Sequence, residues 1–188
     1  MTMLLALLRH ADTAWSREGR IQGGSDVPLL PVAGIHLPDI CRDMRVVTSP
    51  LLRCVQTAAL LGAAHAEREP RIAEMSWGAW EGRVLSQLRT ELGEAMRENE
   101  ARGWDFRPQG GESPRDVLAR VRAWLAEVAA RQEATLAVTH RGVIRAIFAA
   151  ASGWDLRGPP PEKLDWNAVH VFRLAADGAP SIERLNVQ

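Results

Sequence analysis

The chain is poor in lysine and in cysteine, and its charges cancel. Lys163 is the only lysine among 188 residues, so nearly all positive charge is arginine. Arginine is the cation that binds phosphate in bidentate fashion. The 23 Lys and Arg offset 23 Asp and Glu, for a formal net charge of zero. No global basic field points to nucleic acid as a partner. Cys41 and Cys54 are the only cysteines, and at that spacing they form neither a zinc motif nor a redox motif. They read as reduced residues of a cytoplasmic protein. The apolar run over residues 3–8 has no basic leader and is too short to span a membrane, and no other run is longer. No membrane partner is expected. Repeats, low-complexity segments and linkers are also lacking.

What remains is ordinary for a globular chain, 46% hydrophobic and 24% charged. Residues 1–188 are most simply one domain with a core that needs no staples. Met3 to Leu8 reads as a strand buried on both faces, with a helix the alternative that periodicity alone leaves open, and Arg45 to Thr48 as a short strand. Ser49-Pro50 reads as the N-cap and first residue of a helix ending at Gly62. A weak strand or strand-end signal covers Ile72 to Met75. Val84 to Met96 shows one apolar helical face. Ser113 and Asp116 form a capping box for a helix whose apolar face is Val117, Leu118, Val121, Trp124, Leu125 and Val128. Leu136 to Thr139 is a second buried strand, followed by a helix over Val143 to Ala151. A proline-rich loop then leads to two closing strands joined at Asp177-Gly178. The alternation predicts an α/β fold: a single three-layer domain, with a mainly parallel sheet and helices on both faces.

Chemistry gathers where strands meet helices. Arg9-His10 follows the first strand, Arg53 falls in the first turn of the second strand's helix, and His140 follows the buried strand at 136–139. In an open α/β sheet, ligands bind beyond the carboxyl ends of the strands. Parallel neighbours would bring these residues to one edge. A core strand ending in a polar turn is the plain alternative for Arg9-His10. Two arginines can hold the oxygens of a phosphoryl group, and a histidine in line with phosphorus can carry it covalently. Neighbouring arginines would keep that histidine neutral. The leaving alkoxide needs an acid nearby, and Glu74 is the candidate. The glycines between Ser16 and Pro31 let backbone N–H groups approach a ligand closely, although such a loop also serves as a plain surface connection.

Arg9-His10-Ala11-Asp12-Thr13 resembles the Arg-His-Gly-Glu-Thr signature of the histidine phosphatase superfamily, which includes the phosphoglycerate mutases. Arg20-Ile21-Gln22-Gly23 with Asp26 to Leu29 resembles the loop after it. Ser49 to Ala58 is similar to the family's second arginine motif. Glu74 with Trp77-Gly78 and Trp80-Glu81-Gly82 resembles the acid motif. Gly110 to Ser113 and Val138 to Ala146 complete an ordered resemblance over residues 1 to about 150. It implies that His10 is the nucleophile, that Arg9, Arg53 and His140 hold the phosphoryl group, and that Glu74 donates the proton. It further implies that Gln22 and Gly23 touch substrate, that no metal or cofactor takes part, and that the substrate is a small phosphorylated molecule. The chain departs from the pattern at Ala11, where the family has glycine, and at Asp12, where it has glutamate. It departs again at Ser16, where mutases place a phosphate-touching asparagine, and at Arg141, where a small residue is usual. Arg141 either reaches a multiply charged substrate or points to solvent.

Only about sixty residues separate Glu74 from His140, which implies a small helical lid within about 76–112. A mutase must shield its phosphohistidine from water, so phosphatase is the expected activity. A mutase-type phosphotransferase and a non-catalytic phospho-ligand-binding protein are the alternatives. The sequence carries no reading of the oligomeric state.

Overall fold

Leu5 and Leu7 face one side of strand β1 (Met3–Arg9) and Ala6 and Leu8 the other, and all four are buried. That is the pattern of a strand covered on both faces. The computed structural model describes residues 3–32, 34–131 and 133–188. Among them β1 joins β2 (Arg45–Thr48), β3 (Glu67–Arg68), β4 (Thr135–Thr139), β5 (Val169–Leu174) and β6 (Pro180–Val187) in one sheet. The strand order is β3-β2-β4-β1-β5-β6. β1, β2, β3 and β4 run parallel, and β5 and β6 close the sheet antiparallel. The expected α/β class, with a mainly parallel sheet between helices, is the observed one.

Helices α5 (Pro114–Arg131) and α6 (Arg141–Ser152) cover one face, packing Val121, Leu125, Ile144 and Phe148 against Leu5, Leu7 and Phe172. On the other face α2 (Leu52–Leu60) packs Cys54 and Ala58 against Val138. Cys41 and Met44 pack there against Ala6, Leu8 and Leu136. The short helices α1 (Ala14–Arg17), α3 (Leu85–Leu92) and α4 (Glu94–Glu100) lie outside these layers. Leu88 and Met96 from α3 and α4 gather with Ile21 in a separate small cluster. The Ser113 capping box forms as expected, with Asp116 accepting from Ser113 N at 2.9 Å and the Ser113 hydroxyl accepting from Asp116 N at 3.2 Å. No helix among the described residues is long and apolar enough to cross a membrane.

Three local expectations fail, each for a physical reason. Helix α2 begins later, at Leu52, where Asp26 accepts from Leu52 N–H at 2.6 Å; the Ser49 hydroxyl meets His140 Nε2 at 2.7 Å and accepts from Leu51 N–H at 3.3 Å, ahead of the helix. Ile72 to Met75 pairs with no strand among the described residues. Side chains take its carbonyls instead: Thr139 Oγ1 donates to Ile72 O, and Arg120 donates to the carbonyls of Arg71, Ala73 and Glu74. The third strand is Glu67–Arg68. The single helix expected over 84–96 is two, broken at Gly93, whose φ of +49° belongs to the region that favours glycine.

Candidate active site

Strand β4 lies between β1 and β2, and all three end at one edge of the sheet. Register pairs Arg9 with Thr139, and His10 N–H donates to Thr139 O at 3.0 Å. Ser49 N–H donates to Val138 O at 2.9 Å. The residues just past these strand ends are therefore neighbours because the ladders make them so.

His10 is 4% exposed and His140 fully buried, with ring centroids 5.3 Å apart. His10 Nδ1 lies 2.7 Å from Ala11 O. A carbonyl can only accept, so Nδ1 carries the proton and Nε2 keeps its lone pair. Burial first, then the positive charges of Arg9 and Arg53, push His10 down to about 3. The ring is neutral at physiological pH. His140 is held well below the usual histidine range by burial, with Arg53 the next cause. Its Nε2 meets the Ser49 hydroxyl at 2.7 Å and lies 3.3 Å from the buried Cys54 thiol.

Arg53 is fully buried in the first turn of α2. Its terminal nitrogens donate to Ser25 O and Gly23 O, each at 2.8 Å. Its Nε is buried without a hydrogen-bond partner among the described residues. The Arg9 side chain is 17% exposed and lies 4.0 Å from Asp12. It lines a cleft of about 530 Å³ between Asp12 and the loop at Lys163, Leu164, Asp165, Trp166 and Asn167.

Glu74 is half-buried by exposed area. Its Oε1 accepts from Met75 N at 2.9 Å and from Gly142 N at 3.0 Å, in the first turn of α6. Burial raises its pKa, and those two N–H groups and Arg53 pull the other way. A Cβ on Gly142 would sit 2.4 Å from Glu74 Oε1, so glycine is what lets the carboxyl approach the helix. A neutral imidazole, two guanidinium groups and a carboxyl with a raised pKa thus meet at one sheet edge. Such a set can bind a tetrahedral anion, attack it and supply a proton.

The remaining sequence candidates stand further out. Thr13 is the N-cap of α1 and Ser16 completes its capping box: Ser16 N–H donates to Thr13 Oγ1, and its hydroxyl donates to Asp12 and accepts from Thr13 N–H. Gln22 Oε1 accepts from Thr13 Oγ1 at 2.8 Å. Gly23 presents its carbonyl to Arg53 at 2.8 Å. Arg141 is exposed, with its guanidinium 4.7 Å from the centroid of the Trp166 ring. Ala11 takes no positive φ, so the place where the family has glycine needs none here. Arg120 and Trp166 escaped the sequence reading. Arg120 is one of six charged residues along α5, with Arg115, Asp116, Arg122, Glu127 and Arg131, and nothing in its neighbours marks its reach to the carbonyls around Glu74.

The family model of the histidine phosphatase superfamily (branch 1) matches residues 5–188. Phosphoserine phosphatase 1 of Hydrogenobacter thermophilus is 31% identical over 163 residues, covering 81% of this chain and 77% of that protein. A probable 2-carboxy-D-arabinitol-1-phosphatase of Arabidopsis thaliana is 29% identical over 163 residues, 81% of this chain; the match spans only 34% of that longer protein. A 2,3-bisphosphoglycerate-dependent phosphoglycerate mutase of Methylobacterium radiotolerans is 28% identical over 195 residues, 94% of this chain and 92% of that one. Among solved structures, a mycobacterial glucosyl-3-phosphoglycerate phosphatase with bound VO3 superposes with a TM-score of 0.75 at 23% identity, covering 99% of this chain and 100% of that one. At that identity the likeness speaks to the fold.

Proposed function

Because the chain belongs to the histidine phosphatase superfamily, we propose that it is a phosphomonoester hydrolase acting through a phosphohistidine on a small phosphorylated metabolite. One observation carries the reading. His10 Nδ1–H is anchored on Ala11 O at 2.7 Å while burial and two arginines keep the ring neutral, so Nε2 offers its lone pair beside an anion clamp. Nε2 attacks phosphorus, the ester P–O bond breaks, and the phosphoryl group passes to His10. Arg9, Arg53 and His140 hold the phosphoryl oxygens and offset the charge that develops on them. The leaving alkoxide takes a proton from Glu74, whose pKa burial raises toward the protonated form. The resulting carboxylate takes a proton from water as that water attacks phosphorus. The N–P bond then breaks, releasing phosphate and restoring both residues.

Gln22 and Gly23 line the substrate loop in this reading, Ser16 steadies Asp12 at its edge, and Arg141 faces the leaving portion of the substrate. The segment at about 76–112 acts as the lid. The arginines supply the charge neutralisation, so a chelator leaves the activity intact. The two cysteines are buried free thiols, which fits a cytoplasmic setting. Mutase-type transfer is the second reading, supported by the Methylobacterium relative. The small lid favours hydrolysis, since transfer requires that water be kept out.

Leaving-group dependence tests the acid. An alkyl phosphate needs a proton on its alkoxide, whereas p-nitrophenyl phosphate leaves as a stable phenolate. Glu74→Gln should therefore slow phosphoenzyme formation from an alkyl phosphate on the order of a hundredfold more than from p-nitrophenyl phosphate, measured by rapid quench. Equal losses would remove Glu74 as the donor.

A further inference from the structure

We propose that Glu81 is a positioning residue for Arg53, acting through the backbone of residues 23–25. Its Oε1 accepts from Gly24 N at 3.0 Å and Trp77 N at 3.2 Å. Its Oε2 accepts from Ser25 N at 3.1 Å and the Ser25 hydroxyl at 2.8 Å. All four partners donate, so the carboxylate serves as an acceptor on both oxygens. A carboxamide has one acceptor oxygen and would set its own N–H groups against at least one backbone N–H, that of Ser25 or those of Gly24 and Trp77.

The loop held in this way turns its carbonyls the other way. Gly23 O and Ser25 O each accept from Arg53 at 2.8 Å. Arg53 has no carboxylate within ion-pair distance among the described residues, so these two carbonyls set the plane of its guanidinium. Its buried Nε is the one guanidinium nitrogen they leave without a partner among the described residues. Gly23 belongs to the same device. Its φ is +50°, and a Cβ there would lie 2.2 Å from Glu81 Oε1. The Trp77 bond ties Glu81 to the segment that continues from Glu74, so the proton donor and the anion clamp share an anchor. A guanidinium fixed before the anion arrives loses less freedom on binding it.

The proposal rests on the phosphoryl-transfer reading above, and a double-mutant cycle tests it separately. Wild type, Glu81→Gln, Arg53→Ala and the double variant are compared in kcat/KM for p-nitrophenyl phosphate and in inorganic phosphate affinity by calorimetry. Glu81→Gln should weaken both by about tenfold in the wild-type background and by less than about twofold once Arg53 is replaced by alanine. Equal factors in the two backgrounds would overturn the proposal, because a purely structural role is independent of Arg53. Phosphate binding requires no turnover, so that arm judges Glu81 even if His10 proves not to be the nucleophile. Retained turnover in His10→Ala would count against the reaction scheme alone. Should Glu81→Gln fail to fold, Ser25→Ala removes the hydroxyl bond and keeps the carbonyl. It should cost about threefold with Arg53 in place and nothing in the Arg53→Ala background, and equal costs would again overturn the proposal.

Discussion

His10 and His140 owe their positions to main-chain ladders, whereas Glu74 and the loop that grips Arg53 are held by side chains. On the histidine side, β1 pairs with β4 and β4 with β2, and the apolar layers on both faces fix the strands. On the acid side, Arg120 donates to the carbonyls of Arg71, Ala73 and Glu74 and pairs with Glu112 at 2.9 Å. Glu112 accepts from Ser76 N at 2.9 Å, and Glu81 fastens the loop at 24–25. The first arrangement distributes its restraint over many bonds and much buried surface. The second concentrates it in a few polar groups. Single substitutions should therefore disturb the acid side and its clamp much more than the histidine side.

Arg53→Ala is the strongest break. It removes the fully buried cation and should lower kcat/KM by about a hundredfold, the usual cost of losing one pre-oriented donor to developing charge. A change below about threefold would make Arg53 a structural residue. Arg120→Met comes next. It leaves three carbonyls around Glu74 without their partner, and should lower kcat/KM for alkyl phosphates by about tenfold and for p-nitrophenyl phosphate by less. Equal losses would mean that Arg120 supports the fold rather than the acid.

Acid titration probes the histidine side through stability. His10 titrates near 3 when folded, against 6.5 for an ordinary histidine. Holding it neutral costs the fold nothing above pH 6.5 and progressively more as the pH falls toward 3, because only the unfolded chain takes up the proton. One proton corresponds to about 1.4 kcal/mol per pH unit, or roughly 3–5 °C in Tm per pH unit for a chain of this size. Replacing His10 with asparagine should flatten that slope; an unchanged slope would place the acid sensitivity elsewhere. The smallest effect sharpens the comparison. Ala11 N–H donates to Thr57 Oγ1 at 3.0 Å, and Thr57→Val removes that acceptor beside the nucleophile. The ladders should keep the loss in kcat/KM under about threefold. A loss as large as that of Arg120→Met would erase the difference between the two sides.

The sequence revealed what is local or periodic. The strand at Met3 to Arg9, the apolar face of α5, its capping box and the His140 junction all lie within one element and its immediate end. The parallel sheet follows from their alternation. The positions of Arg9, His10, Arg53, Glu74 and His140 could be proposed because each stands at a junction or in an ordered motif. The clamps were illegible because their partners are distant in the chain. Arg120 reaches carbonyls 46, 47 and 49 residues away, and Glu81 reaches N–H groups 57 and 56 residues away. The same distance explains the failed elements. Ser49 reads as an N-cap, but Asp26, 26 residues back, caps Leu52, and the Ser49 hydroxyl also meets His140, 91 residues on. Ile72 to Met75 looked like a strand until side chains took its carbonyls.

Trapping the phosphoenzyme tests the central claim most directly. The chain is mixed with a labelled phosphomonoester, quenched within milliseconds and digested, and the label is located by mass spectrometry. The account predicts one acid-labile phosphoryl group on His10, formed at least as fast as turnover and absent from His10→Ala, which should also lose hydrolysis. Turnover without any phosphoenzyme, a label on another residue, or hydrolysis retained by His10→Ala would contradict it.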